Sequence, residues 1–210
     1  MATGENMDDY LKKTRQIKGF LDANEAVATL GADNAVLDPY SVLISKEVKV
    51  GKGNVFYPNV IIEVQGGGTI AIGDNNVFYP GTYLLSSAGS ITVGNDNEFG
   101  TNGCTIKANM PDAQITIGDN GRYCDGANIM GKTSLGSGSQ VLGAITVQGC
   151  ILAAGGTFQT PDPDKRAAVL KGFGLARGIT LEKGQVVNGS GNFADRPVEW
   201  QHDYHPKVKA

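Results

Sequence analysis

Apolar and aromatic side chains recur at every sixth position through the middle of the chain: Ile117, Tyr123, Ile129, Leu135, Val141 and Val147. Four positions after each anchor there is usually a small or polar residue, as at Gly121, Ala127, Thr133 and Ser139, with Ile145 and Ile151 completing the series. A helix cannot use this spacing, because six residues turn it by roughly 600° at about 100° per residue, well off a whole number of turns. A hairpin meander would need turn signals about every 8–12 residues. Three short strands per coil, with a bend after each, do fit. Anchor and small partner then both point into a narrow triangular prism.

A longer phrase overlies the hexads. Val50-Gly-Lys-Gly-Asn-Val-Phe returns as Ile72-Gly-Asp-Asn-Asn-Val-Phe, and in weaker form from Val93, Ile117 and Leu135. Repetition on this scale is the signature of a solenoid. In register, Phe56, Phe78, Phe99 and Tyr123 stack over one another, and Asn54, Asn76 and Asn97 form an internal amide ladder, with coils ~4.8 Å apart. The bends use Gly-Asn (53–54), Asp-Asn (74–75), Asn-Gly (102–103) and Asp-Gly (125–126), residues that tolerate left-handed backbone angles. Corners of this kind account for the 30 glycines among 210 residues without invoking disorder. The steps from Val50 to Ile72, Val93 and Ile117 are 22, 21 and 24 residues, against 18 from Ile117 to Leu135. The extra residues enter just before Thr69, Ser90 and Gln114. They predict a ridge of insertions on one edge, which is either a binding face or an exposed corner that tolerates length.

The predicted organisation is an all-β solenoid of about six coils with appendages: a helical cap (1–30), the β-helix (31–156), an excursion loop with a short helix (157–177), a final coil (178–194) and a tail (195–210). Residues 6–30 read as one helix, with Tyr10, Leu11, Thr14, Ile17 and Leu21 on one face and Lys12, Lys13, Arg15 and Lys18 elsewhere. Such a helix would cover the open end of the prism, whose strand edges are otherwise unpaired. In the excursion, Asp164 is placed to cap a short helix running to Leu170. Lys165, Arg166, Lys171 and Arg177 make the segment basic and suited to an anionic ligand such as a phosphate-bearing cofactor. Leu181, Val187 and Phe193 then resume the hexad. In the tail, Trp200 and Tyr204 are expected to pack on the side of the prism or on another subunit.

Charge and cysteines narrow the function classes. A net charge of −3 with mixed signs gives no reason to expect a nucleic-acid partner. No long apolar run or leader pattern is present, so a cytoplasmic protein without membrane contact is expected. Cys104, Cys124 and Cys150 are widely spaced with no CxxC, which argues against zinc or a disulfide framework. Gly126 to Thr133 satisfies the GxxxxGK[ST] phosphate-loop pattern, but that loop works only between a strand and a helix. Here the anchors Tyr123, Ile129 and Leu135 run straight through it.

The repeat over 36–156 and 178–194 resembles the hexapeptide repeat of left-handed parallel β-helix proteins. Within that superfamily the Ile72-Gly-Asp-Asn-Asn-Val-Phe phrase, and the order of inserted coils, plain coils and tail, are most similar to the small pointed-end dynactin-type subunits. The resemblance implies a homotrimer as the usual assembly. For the acyltransferase branch it implies acyl-CoA as cofactor and a histidine base beside a groove between subunits. This chain has only His202 and His205, both beyond the last coil. An acyltransferase would therefore use His202 or His205 as general base across a subunit boundary, or a carboxylate such as Asp162 or Asp164 in its place, with Lys165, Arg166, Lys171 and Arg177 on the CoA phosphates. The γ-carbonic anhydrase branch holds zinc with three histidines from successive coils, and no coil here supplies one, so no metal site is expected. The dynactin-like branch implies a scaffold whose coil faces and capped end bind other proteins. The expected function is thus a non-catalytic binding or assembly scaffold, with a CoA-dependent acyltransferase as the alternative.

Overall fold

A computed structural model describes residues 6–205; the outermost parts of the expected cap and tail, 1–5 and 206–210, lie outside the described residues. The chain winds into a left-handed parallel β-helix with three faces. Face 1 carries strands from Ala35–Val36 to Gln140–Leu142, face 2 those from Leu43–Ile44 to Ile145–Gln148, and face 3 stacks seven strands from Lys49–Val50 to Thr180–Leu181.

Register follows the hexad anchors. Phe56 pairs with Phe78, Phe78 with Phe99, Phe99 with Tyr123, and Tyr123 with Val141, all in parallel ladders. The first four rings are fully buried, with centroids 5.1, 5.0 and 5.4 Å apart. Beside them runs the amide ladder. Asn54 Oδ1 accepts from the backbone N–H and Nδ2 of Asn76 at 2.9 and 3.0 Å, and Asn76 Oδ1 accepts from the same atoms of Asn97, both at 3.0 Å. Asn34 adds a rung below, accepting from Asn54 at 2.9 and 3.0 Å. Each amide thus satisfies buried groups of the next coil, as an interior polar group must. The insertions stack at one corner as their spacing predicts: Gln65 donates to the Ser86 carbonyl, Ser87 to Ala108 and Ser90 to Ala113.

Two segments depart from the expected pattern. The single helix over 6–30 is in fact two, α1 (Met7–Ile17) and α2 (Ala23–Leu30), broken where Gly19 takes φ +77°. Asp22 and Glu25 form a reciprocal capping box that starts α2. Leu21, Ala26 and Leu30 are buried and join the core at this end. The expected apolar face of α1 is not buried: Tyr10 is 54% and Ile17 73% exposed. Its buried residue is Arg15, whose guanidinium donates to the carbonyls of Pro39 and Tyr40.

The second departure is at 157–177. The short helix is only a 3-10 turn, Pro163–Lys165, and Val169–Arg177 is a nine-residue strand rather than loop. That strand lays its first half on face 1 against Gln140–Leu142 and its second half on face 2 against Ile145–Gln148. It crosses the corner without a break because Gly172 and Gly174, at φ +118° and +135°, let it bend while approaching the next coil closely. Leu170 and Ala176, six apart, are fully buried, so the hexad runs through this segment too.

Candidate functional site

On the later coils of face 1 the outward side chains become the floor of a groove. Each alternates with an inward anchor: Leu142 follows Val141, Val169 precedes Leu170, and Val186 precedes Val187. The groove holds about 390 Å³. One wall is the segment between Gly156 and Arg166, two residues joined by a parallel bridge. It presents Phe158, whose ring carries the Arg122 guanidinium at 4.5 Å. Arg166 fixes the same wall by donating from Nε to the Thr160 carbonyl at 2.8 Å.

The opposite wall is the tail. Glu199–Trp200 pairs antiparallel with Gln185 and Val186. Gln201 then anchors the turn that follows, its backbone N–H donating to Gly184 at 2.8 Å and its buried amide to the Ala167 carbonyl. This seats Tyr204 and His205 over the groove. The Tyr204 hydroxyl donates to Glu199, a bond that raises the phenol above its ordinary pKa.

Of the residues singled out in sequence, Arg166, Lys171 and His205 meet at this groove. The others go elsewhere. Lys165 lies 3.7 Å from Asp162, and Arg177 donates to the Gln148 side chain at 3.0 Å on face 2. His202 faces away: Nδ1 is 2.6 Å from Asp164, Nε2 is 3.4 Å from Asp203, and the ring lies parallel to Trp200. With Asp164 beside one ring nitrogen and Asp203 near the other, His202 is engaged between the excursion and the tail and does not line the groove. Arg122, Phe158 and Tyr204 complete the site. The signal for Arg122 was its place just before the inward anchor Tyr123, which turns it outward by strand alternation.

The cations in the groove are not equally balanced. Arg122 lies 3.3 Å from Glu98. Among the described residues no carboxylate pairs with Arg166 or Lys171. Thiol chemistry finds no support here, because all three cysteines are buried and unpaired. Burial, with Asp125 alongside, pushes the Cys124 thiol up to about 11, and burial raises Cys104 and Cys150 as well. The phosphate-loop look-alike is a corner between the strands Ala127–Met130 and Thr133–Leu135, with Lys132 exposed and no helix following. Among the described residues no three His, Cys, Asp or Glu side chains converge as a metal site, and no helix is long and apolar enough to cross a membrane. No protein-family model matches this chain, and no curated protein matches it either.

Proposed function

We propose that this chain is a binding and assembly module, in which a rigid β-helix presents a preformed groove and exposed coil surfaces to other molecules. The observation that carries this reading is the make-up of the groove. Its cations and aromatic rings surround an apolar floor, a combination that holds a ligand by charge and shape. Homotrimer formation, as the hexapeptide-repeat resemblance implies, belongs to the same proposal. Light scattering on the purified chain is then expected to give three times the 22.0 kDa subunit mass. Three unpaired cysteines suit a reducing compartment such as the cytoplasm.

The second reading, a CoA-dependent acyltransferase, draws support from His205, Arg166 and Lys171 meeting at one groove. His205 would be the general base, since it lines the groove and His202 does not. Thiol release from acetyl-CoA across a panel of amine and hydroxyl acceptors separates the two. No release above the uncatalysed rate favours the binding module, whereas release that disappears in His205→Ala overturns it.

A further inference from the structure

The groove joins two properties: positive charge without a carboxylate partner among the described residues, at Arg166 and Lys171, and an apolar, ring-lined interior. Arg166 spends its Nε on the Thr160 carbonyl, which fixes the side chain and leaves the terminal nitrogens as donors. Lys171 projects outward from strand Val169–Arg177 in the same groove. Neither has a carboxylate partner among the described residues, although the chain as a whole carries −3. Arg122 differs, because Glu98 balances it and Phe158 covers it. Between these cations lie Leu142, Val169 and Val186, flanked by the rings of Phe158 and Tyr204. The Tyr204 hydroxyl is engaged with Glu199, so what this residue offers a ligand is its ring.

We propose that the groove binds a small organic anion, with a flat apolar body against the floor and rings and a phosphate or carboxylate held by Arg166 and Lys171. Arg166 supplies a planar fork of donors and Lys171 a point charge, the pairing that anionic oxygens favour. At about 390 Å³ the groove is near the lower end of small-molecule sites, so it suits a compact ligand. This inference rests on the binding-module reading and specifies the ligand class for it.

Isothermal titration of the full chain with phenyl phosphate, benzoate, inorganic phosphate and benzyl alcohol tests the proposal. One of the two aromatic anions is expected to bind at least about tenfold more tightly than inorganic phosphate or benzyl alcohol, and which one it is distinguishes a phosphate from a carboxylate ligand. Lys171→Gln, an outward change on a strand, is expected to weaken that binding about tenfold, the size of one lost charge-assisted hydrogen bond. Arg166→Lys keeps the charge but loses the fork, and should weaken it as well. Lys165→Gln and Arg177→Gln should leave affinity unchanged. Equal affinity in wild type and Lys171→Gln, equal losses in the two control variants, or no binding of either aromatic anion would each overturn the inference. Benzyl alcohol binding as tightly as the anions would reject the charge requirement and leave the binding module standing. Turnover of acetyl-CoA that depends on His205 would reject the non-catalytic reading without altering the anion affinities.

Discussion

Tyr123 leans over Gly121: a β-carbon built at position 121 would lie 2.2 Å from the Tyr123 hydroxyl. The ring is tilted 26° from Phe99, whereas Phe56 and Phe78, and Phe78 and Phe99, each stack at 6°. Gly121 stands where the next rung of the asparagine ladder would be, and its N–H still donates to Asn97 at 2.7 Å. The ladder stops there because the phenol takes the space. Tyr123 Oη instead reaches Ser139 Oγ, 3.0 Å away in the following coil.

This exchange predicts strong coupling between the two positions. Gly121→Asn alone should destabilise by about 3 kcal/mol or more, since the phenol must move out of a packed interior. Tyr123→Phe alone orphans the Ser139 hydroxyl and should cost about 1–2 kcal/mol. Together they recreate the Asn-plus-Phe pair of the coil below, so the double variant should be more stable than the sum of the singles by at least about 1 kcal/mol. Urea unfolding of the four proteins gives the coupling directly, and simple additivity would refute the account.

The ladder itself should be costly to interrupt. Asn76 is fully buried and also donates to the Gly94 carbonyl at 3.0 Å. Asn76→Ala leaves that carbonyl and the Asn97 backbone N–H without partners, while the Asn97 amide keeps only its bond to the Gly118 carbonyl. At roughly 1–3 kcal/mol for each orphaned group, a loss of about 4 kcal/mol is expected in denaturant unfolding. A loss below about 1 kcal/mol would mean that water enters to replace the amide.

The interior was legible in the sequence for a simple reason. Inward positions repeat every six residues, so Phe56, Asn76 or Ile129 declares its side without knowledge of anything distant. The strand through Gly172 and Gly174 was hidden by the same logic, because glycines that allow close coil approach look like glycines that end an element. The groove was harder still. Arg166, Lys171 and His205 could be singled out by chemistry, but which face the excursion and tail fold against depends on the Gly156–Arg166 bridge and the Gln201 anchor, contacts without periodicity. The tail histidines show this most clearly. His202 and His205 are three residues apart, yet one lies between two carboxylates and the other over the groove.

On face 2, Tyr83 donates to Glu63 at 2.9 Å, and partial burial together with that carboxylate pushes the phenol from 10.0 up to about 12. A folded state that holds this proton more tightly than the unfolded chain is stabilised fully below pH 10, and loses that contribution as pH rises toward about 12. The phenolate absorbance missing from Tyr83→Phe should therefore titrate near 12, and Glu63→Gln should bring it down toward 10. A midpoint at the ordinary value in the native protein would contradict the hydrogen bond.

The corner glycines separate two costs that are often confused. At Gly149, φ is +63° and a β-carbon would meet nothing within 4 Å, so Gly149→Ala carries only the left-handed backbone penalty, about 1–2 kcal/mol. At Gly172, φ is +118° and a β-carbon would fall 1.9 Å from the Gly189 carbonyl oxygen of the next strand. No rotamer relieves a clash between a β-carbon and backbone. Gly172→Ala must therefore push the Gln185–Asn192 strand away from Val169–Arg177, breaking ladder bonds on face 1. A loss of about 4 kcal/mol or more is expected, two or more times that at Gly149. The displaced strand also carries Val186 and pairs with Glu199–Trp200, so hydrogen exchange should rise through the tail in Gly172→Ala and stay at its wild-type level in Gly149→Ala. Equal destabilisation by the two substitutions would show that backbone conformation, and not the close approach of the coils, fixes glycine at 172.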